Sequence, residues 1–497
     1  MTTFARNDLS QALAQVRWLA LRRASLSAAY WVGLGILVVC LVATAHPQYA
    51  ESLVGAILII AASWFPALLW IQKKMGGFPI FPVFALTYTW TFGLPLIYEH
   101  PIVTLFQADD QLFAAFSVAG FLLIGTAVWY FVRGKTTKVP RRCLAMREGS
   151  ADIIFLGILS VSIGFTAAVN GGWLNISSGF YSIVRSIVLA LQGLACFALS
   201  YRLGRGELRE PKKIIFKVLL ATAMIVSLPP LLMINSMSLV ALAAFGYVSG
   251  SGKVPWISFT AAIALFGFLQ LGKAEMRDHY WGDADQGPVQ PLEYPSFFKE
   301  WLSTSFDQLT APVTRDEEEK HSLIERASLM QLLLYEQTLS SSVPFMFGET
   351  YTIVPELLVP RIFYSGRATT HEGTYRLNIH YGFQTREQTE TTTLGFGLLN
   401  EAYANFGLAG MAMLAFVLGG FYGWIERWAA GVPLLSARGL FAITVASFSF
   451  QTEFAAGVYA AALSQATVAL LLLSAFTMQK RANALAAGAQ IPSAAPT

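Results

Sequence analysis

Residues 52–71 read SLVGAILIIAASWFPALLWI, a run without one charged side chain, closed by Glu51 before it and by Lys73 and Lys74 after it. A helix rises about 1.5 Å per residue, so about 20 apolar residues cross a hydrocarbon core about 30 Å thick. A helix that covers a soluble core keeps a polar stripe; this run has none and reads as a membrane span. Working outward, the same kind of block recurs at 29–45, 80–98, 111–132, 152–169, 183–202, 214–232, 235–250, 254–272, 405–424, 436–451 and 457–477. Three of these, 235–250, 254–272 and 436–451, are short or weakly delimited. Hydrophobic residues make up 55% and charged residues 13% of the chain, and the mean hydropathy is +0.52. A soluble chain carries about 25% charged residues. The reading is an all-α polytopic membrane protein with about twelve transmembrane helices.

Charge placement sets an expected orientation. With the N-terminus inside, the inner side collects Arg17, Arg22, Arg23, Lys73 and Lys74, then Arg133, Lys135, Lys138, Arg141, Arg142 and Arg147. Arg202, Arg205, Arg209, Lys212, Lys213, Lys253, Arg427, Arg438, Lys480 and Arg481 continue the series. The breaks at 46–51, 99–110, 170–182 and 452–456 hold no Lys or Arg, only Glu51, Glu99, Asp109, Asp110 and Glu453. Basic residues concentrate on the cytoplasmic side of membrane proteins. Both termini are therefore expected in the cytoplasm, and residues 273–404 on the periplasmic face of a bacterial inner membrane. The net charge of +4 is a topology signal, with no nucleic-acid footprint. The expected organisation is a cytoplasmic interfacial helix at 1–27, with Leu9, Leu13 and Val16 on one face, and a membrane bundle at 28–272. A large, largely helical loop at 273–404, further membrane helices at 405–480 and a disordered tail at 481–497 follow. Cys40, Cys143 and Cys196 all fall outside the loop, which therefore has no disulfide framework.

A loop of this length carries function or disorder. Phe297, Phe298, Trp301, Leu302, Phe306 and Leu309 form one apolar helical stripe suited to the membrane surface. Thr314 to Glu317 gives a capping-box pattern, and a helix to Leu339 is expected behind it, with Leu323, Ala327, Met330 and Leu334 on one side. The run Glu317–Glu319 reads as a solvated first turn favoured by the helix dipole rather than a metal site, because adjacent helical residues point apart. Over 273–360 the acids outnumber the bases by fifteen to six; over 361–386 stand Arg361, Arg367, Arg376 and Arg386 with one acid, Glu372. A guanidinium is planar, bidentate and charged at any pH, so clustered arginines suit phosphate or carboxylate. The plainer alternative is that they pair with the loop's own acids or with lipid headgroups. The nearest approach to a metal site in the loop is Asp283 and Asp285, in a Gly/Pro-flanked stretch with no His-Glu cluster at ligand spacing, so neither metal nor cofactor is expected.

Two segments carry a resemblance. Val354-Pro-Glu-Leu-Leu-Val-Pro-Arg361 and Thr393-Leu-Gly-Phe-Gly-Leu-Leu-Asn-Glu-Ala-Tyr-Ala-Asn-Phe-Gly407 are similar to stretches of bacterial Wzy-type O-antigen and exopolysaccharide repeat-unit polymerases and, more distantly, of O-antigen ligases. These are membrane glycosyltransferases with a large, late periplasmic loop. The resemblance in sequence covers about 60 residues; elsewhere it is one of topology. The chain departs from the pattern at Ile234–Met237, where many members place a basic residue in the turn after the seventh helix.

The resemblance implies transfer of a growing glycan from undecaprenyl diphosphate to the sugar hydroxyl of another lipid-linked repeat unit. Its partners would be undecaprenyl-diphosphate-linked oligosaccharides, the bilayer, and a chain-length regulator and flippase of the same pathway. Fixed cations in a poorly hydrated site favour a departing diphosphate, the role open to Arg361, Arg367, Arg376 and Arg386. Glu401, His380 and His371 are the candidates for the base that serves the acceptor hydroxyl. Glu401 also suits a simple helix N-terminus, and either histidine a loop surface. Tyr381, Tyr403 and Asn405 are candidate sugar or lipid contacts, with Tyr351, Tyr364 and Tyr375 as further aromatic platforms; an interfacial belt or the loop's own core is the alternative use of the aromatics. Competing functions are an O-antigen ligase and, from another class, a secondary transporter or lipid-linked sugar flippase. Scarce ionisable residues in the spans and unequal halves count against transport. Transferases that use a monosaccharide on a lipid phosphate need an acid in a sizeable first outer loop, and this one is short, with His46 and Glu51.

Overall fold

The computed structural model describes residues 24, 26–72, 79–98, 100–134, 139–174, 178–282, 288–310, 327–359, 364, 366–391 and 393–482. Most of the interfacial helix expected at 1–27, the capping box at 314–317, the acidic run 317–319, Arg361 and all but the first two residues of the tail expected at 481–497 lie outside the described residues. Through the described chain run α1 (Leu26–Thr44), α2 (Ala50–Gln72), α3 (Ile80–Tyr88, continued to Leu96 by a π turn and a 3-10 turn) and α4 (Ala108–Gly134). Next come β1 (Arg142–Met146), α5 (Glu148–Asn170), α6 (Ser178–Gly204), α7 (Glu210–Val226), α8 (Met233–Ser251), α9 (Trp256–Gly282) and α10 (Tyr294–Thr310). Then follow α11 (Met330–Leu339), α12 (Val354–Leu358), α13 (Glu372–His380), α14 (Arg386–Thr391), α15 (Gly397–Trp428), α16 (Ala437–Phe448), α17 (Ala456–Thr477) and β2 (Met478–Ala482).

The protein is an all-α, multi-pass membrane protein, and its one described sheet is the antiparallel ribbon β1–β2. Among the described residues nine helices are long and apolar enough to cross a membrane: α1, α2, α4, α5, α6, α8, α9, α15 and α17. The three remaining expected spans are also helical but shorter: Ile80–Leu96, Ala437–Phe448 and the 17-residue α7. Two boundaries differ from the sequence reading. Arg481 and Ala482, expected in the tail, pair in the ribbon with Cys143 and Arg142. Helix α15 starts at Gly397 rather than 405, so the end of the expected 273–404 loop is already helix.

The chain forms two compact units, each discontinuous in sequence: one of residues 1–34 and 147–317, the other of 35–146 and 318–497. The expected 28–272 bundle is thus divided, and so is the 273–404 segment.

In the first unit α8 lies against α6 through glycines one helical turn apart. A methyl group at Gly246 or Gly250 would run into the α6 backbone at Phe197 or Tyr201, a close approach typical of membrane helices. Asp152 ties the basic end together, with Arg202 Nε at 2.5 Å and Lys212 Nζ at 3.0 Å. Helix α10 folds back along α9. Phe297 and Trp301 are buried, Trp301 donates to the Leu269 carbonyl at 2.8 Å, and Leu302, Phe306 and Leu309 stay exposed. The expected apolar stripe therefore splits between a helix contact and an outward face.

In the second unit α15 packs on α4 with the same device, Gly419 and Gly423 meeting the α4 backbone at Gly125 and Trp129. One end gathers three of the four breaks that lack Lys and Arg, 46–51, 99–110 and 452–456. His46 bridges Tyr98, Ser52 bonds Gln111, Phe106 meets Tyr335 edge-on, and Gly397 N donates to Glu453 O. The other end gathers basic segments, with the ribbon β1–β2 and the bridge Ala145–Ser436. Segments that the charge pattern assigned to one face are thus neighbours in the fold.

Candidate functional site

The acidic end of the second unit carries the candidate residues. Its frame is a break in α15. Phe406 (φ −142°, ψ 17°) and Gly407 (φ 60°, ψ −146°) leave helical geometry, the latter in a region that only glycine occupies without strain. A side chain at Gly407 would also strike the Phe345 ring. The break releases main-chain carbonyls that a second segment then uses: Met346 N donates to Ala404 O and Phe347 N to Asn405 O. Asn405, wholly buried, completes the clamp. Its Oδ1 accepts from Gly348 N at 2.8 Å, and its Nδ2 donates to Thr350 Oγ1 at 2.8 Å and Glu401 O at 2.7 Å. The amide expected to touch sugar or lipid is thus occupied in fastening 346–350 to α15.

Glu401 stands one turn before the break and is fully buried. Its Oε2 accepts from Ala456 N, the first residue of α17, at 2.5 Å, and the Thr350 hydroxyl also bonds the carboxylate. The Oε1 atom makes no hydrogen bond to any described group. The sequence argument placed Glu401 at the N-terminus of its own helix; the structure puts it at the N-terminus of another, where the dipole favours an anion equally.

Beside it is a residue the sequence reading missed. Glu336, on α11, is 1% exposed, and neither carboxyl oxygen has a hydrogen-bond partner among the described groups. Burial pushes its carboxyl well above the ordinary range, and the charge of Glu401 pushes it further the same way. Three tyrosines from separate segments surround the two acids. Burial, Glu401 and Glu336 raise Tyr351, whose ring stacks on Phe406; burial, Glu336 and Tyr403 raise Tyr381, which stacks on Phe396. Tyr403, 5% exposed, bonds Ser340 and lies edge-on to Phe345. Two of the expected contacts, Tyr381 and Tyr403, therefore face Glu336, and Glu336 in turn feels the charge of Glu401.

Helix α11 starts later than expected. The helix anticipated up to Leu339 is interrupted at Ser328–Leu329, where Leu329 N donates to Thr91 O and Leu329 O accepts from Asn400 Nδ2. These tertiary bonds replace the helical ones. Leu332, Leu333 and Leu334 are all buried and only Thr338 of α11 is exposed, so most of the helix surface is covered and Glu336 does not stand out against a polar face.

The arginines are distributed in two places. Arg386 grips Glu372 with both terminal nitrogens, at 3.1 and 3.0 Å, and lies over the Tyr375 ring. Arg376 shares the same acid at 3.6 Å and reaches Glu349 at 3.5 Å. The Arg386 hydrogen bonds, then the charges of both arginines, hold Glu372 below the ordinary carboxylate range. The two guanidinium side chains remain 50% and 31% exposed. Arg367 instead is buried and caps α12, donating to the carbonyls of Leu357 at 2.8 Å and Val359 at 2.5 Å. It braces the Val354–Leu358 turn rather than facing a ligand.

The two histidines stand apart from the carboxyls. His371 precedes α13, its ring stacked on Tyr375, and His380 Nε2 lies 2.9 Å from Pro344 O. Among the described residues no group of three or more His, Cys, Asp or Glu side chains is arranged to hold a metal ion. In the first unit, the turn that lacks a basic residue of its own receives one from α9, where Arg277 donates to Leu231 O at 3.0 Å and lies over Trp281. No periodicity links Arg277 to that turn, so its partner is not legible from the order of residues alone.

No family model, curated protein or solved structure matches the chain.

Proposed function

We propose that the protein is a metal-independent membrane glycosyltransferase of the repeat-unit polymerase type. It transfers a growing glycan from undecaprenyl diphosphate to a lipid-linked repeat unit at the periplasmic face of a bacterial inner membrane. The observation that carries this reading is that the two resembling segments both meet the first turns of α17, Leu357 packing with Ala461 and Glu401 accepting from Ala456 N. Val354–Leu358 is capped by Arg367, 346–350 is clamped by Asn405 from the Asn-Phe-Gly break, and the exposed forks of Arg376 and Arg386 lie on the helices between. Half-exposed arginines already aligned by a carboxylate are suited to receive a diphosphate, whose developing charge they offset as the glycosyl bond breaks. Glu401 is the candidate base, with His371 and His380 as alternatives on the rim; Tyr381 and Tyr403 line its surroundings.

The test is the lipid-linked glycan that accumulates in a deletion strain. Single repeats on undecaprenyl diphosphate support a polymerase; full-length polymer on that lipid indicates a ligase and refutes it. The topology is tested separately. A reporter after Gly134 should read cytoplasmic and one at Gln286 periplasmic, and the reverse at Gln286 overturns the placement of the site.

A proton-coupled carrier is the second reading. It is favoured by Glu401, a carboxyl buried in a membrane helix with one oxygen unpartnered among the described groups, since intramembrane acids commonly serve ion pathways. Uptake of labelled lipid-linked sugar into proteoliposomes without chain growth would select it.

A further inference from the structure

We propose that Glu336 and Glu401 form a single proton-binding site, with one exchangeable proton held between α11 and the start of α15. The site goes beyond the glycosyltransferase reading and does not depend on it.

The argument begins from what is missing around Glu336. A carboxylate removed from water needs hydrogen-bond donors or a cation, and an uncompensated buried charge costs several kcal/mol. Glu336 is almost wholly buried and receives no hydrogen bond from any described group. The groups that act on it from the elements packed around α11 are Glu401 and Tyr403 of α15, Tyr351 and Tyr381. From α4 the contact is neutral, Gln337 Nε2 donating to Ser117 Oγ. No cationic side chain appears among the described causes of its shift.

Glu401 differs in one respect. Its Oε2 has a main-chain donor at a helix N-terminus, so a negative charge can reside there. Its Oε1, like both oxygens of Glu336, is vacant. One anion and one neutral acid is therefore the arrangement that satisfies both groups. The charge stays where Ala456 and Thr350 meet it, and the proton sits on Glu336. Two like charges in one dry site cannot both ionise, as in paired carboxylates generally.

Tyr351, Tyr381 and Tyr403 are the other titratable groups that act on the pair among the described residues, and none of them is a cation, so a proton, needing no coordination shell, is the ligand that fits. Its loss would leave two buried anions and push α11 away from α15. The proton is thus coupled to the packing of 330–339 against the clamp at 404–407.

The experiment is infrared difference spectroscopy of purified full-length protein at neutral pH, comparing wild type with Glu336→Gln. The expected result is loss of a protonated-carboxyl carbonyl band, shifted by deuterium exchange, worth one acid per chain. A difference containing only ionised-carboxylate bands overturns the proposal. Should Glu336→Gln fail to fold, the same band is followed in wild type and in Glu401→Gln as pH rises into the alkaline range. Wild type must lose it on titration, and Glu401→Gln, freed of the second charge, must keep it at neutral pH but lose it at a lower pH than wild type. An ionised Glu336 in Glu401→Gln at neutral pH also overturns it. Neither measurement involves a glycan, so failure here leaves the glycosyltransferase reading untouched, and failure of that reading leaves the proton site.

Discussion

Helix α15 carries two buried glutamates 25 positions apart, Glu401 near its start and Glu426 near its end, in opposite circumstances. Glu426 is fully provided for: Oε1 accepts from Phe81 N at 3.0 Å, Oε2 accepts from Trp129 Nε1 at 3.0 Å, and Arg133 stands 3.6 Å away. Those partners come from α3 and α4, so the carboxylate locks three helices at the basic end. Glu401 has an oxygen without a partner and a second unpartnered acid for a neighbour. Satisfied burial reads as structure, whereas unsatisfied burial is kept only where it does something.

The largest effect should separate the two. Glu426→Ala strands Arg133, Trp129 and the Phe81 amide in a dry site, and loss of one partner from such a network costs about 3–5 kcal/mol. The expected outcome is poor accumulation in the membrane and a large drop in melting temperature in detergent. Glu401→Gln, which keeps an acceptor for Ala456, should melt close to wild type. If the two variants melt alike, the contrast between the ends is lost.

Next in size is the effect of the exposed arginines on turnover. Arg376→Ala and Arg386→Ala should each reduce polymer formation by about two to three orders of magnitude, the worth of a charge-assisted contact made in the transition state. Membrane abundance should stay near normal. Lysine substitutions should rescue poorly, because they lose the fork. Arg367→Ala should behave differently, lowering abundance with little change in specific rate, since its bonds go to the end of α12. Arg361→Ala, in the same assay, asks whether the residue after Pro360 joins the first group or the second. Wild-type chain length in well-expressed Arg376→Ala and Arg386→Ala would remove both from the diphosphate site.

The membrane helices were legible because twenty uncharged residues admit few other readings, as at 52–71. The start of α15 differs from the sequence reading by eight residues for a physical reason: 397–404 is helix and 405 is where the apolar run begins, just before the break at Phe406–Gly407. The site was legible in part. Glu401, Tyr381 and Tyr403 stood out by type and by resemblance, and the structure brings them together. Glu336 did not, because three successive buried leucines leave a short helix without a clear apolar stripe against which a misplaced acid would show. Asn405 was conspicuous for a use other than the one the fold makes of it.

The clamp provides a third and smaller effect. Gly407→Ala places a side chain at φ 60°, ψ −146° and against Phe345, and strain of this kind costs about 1–3 kcal/mol. Its influence should reach both ends of the comparison unequally. Hydrogen exchange of the 346–350 amides should quicken, while the amides around Phe81 and Trp129 at the Glu426 lock should keep their wild-type rates. Equal acceleration at both would mean that the break is only a local bend in one rigid helix.

The smallest expected effect belongs to Glu372, which is the electrostatic opposite of Glu336. Its two arginines hold its carboxyl low, so the folded protein is the stronger acid at this position. The corresponding stability is present above the ordinary carboxyl range and is lost as pH falls through the folded value. Glu336, held high, behaves in reverse: its contribution is complete below the ordinary range and is lost as pH rises through its folded value. Glu372→Gln should therefore lower the melting temperature slightly at neutral pH and not at all in acid. The change should be below about 1 kcal/mol, because Arg386 is half exposed and solvent screens the pair. Glu336→Gln should do the converse and flatten the loss of stability on the alkaline side. Melting curves across pH for the two variants should diverge from wild type at opposite ends of the range. A shared acid-side change would place both carboxyls in the same ionised class and erase the distinction between a satisfied and an unsatisfied acid on which the site assignment rests.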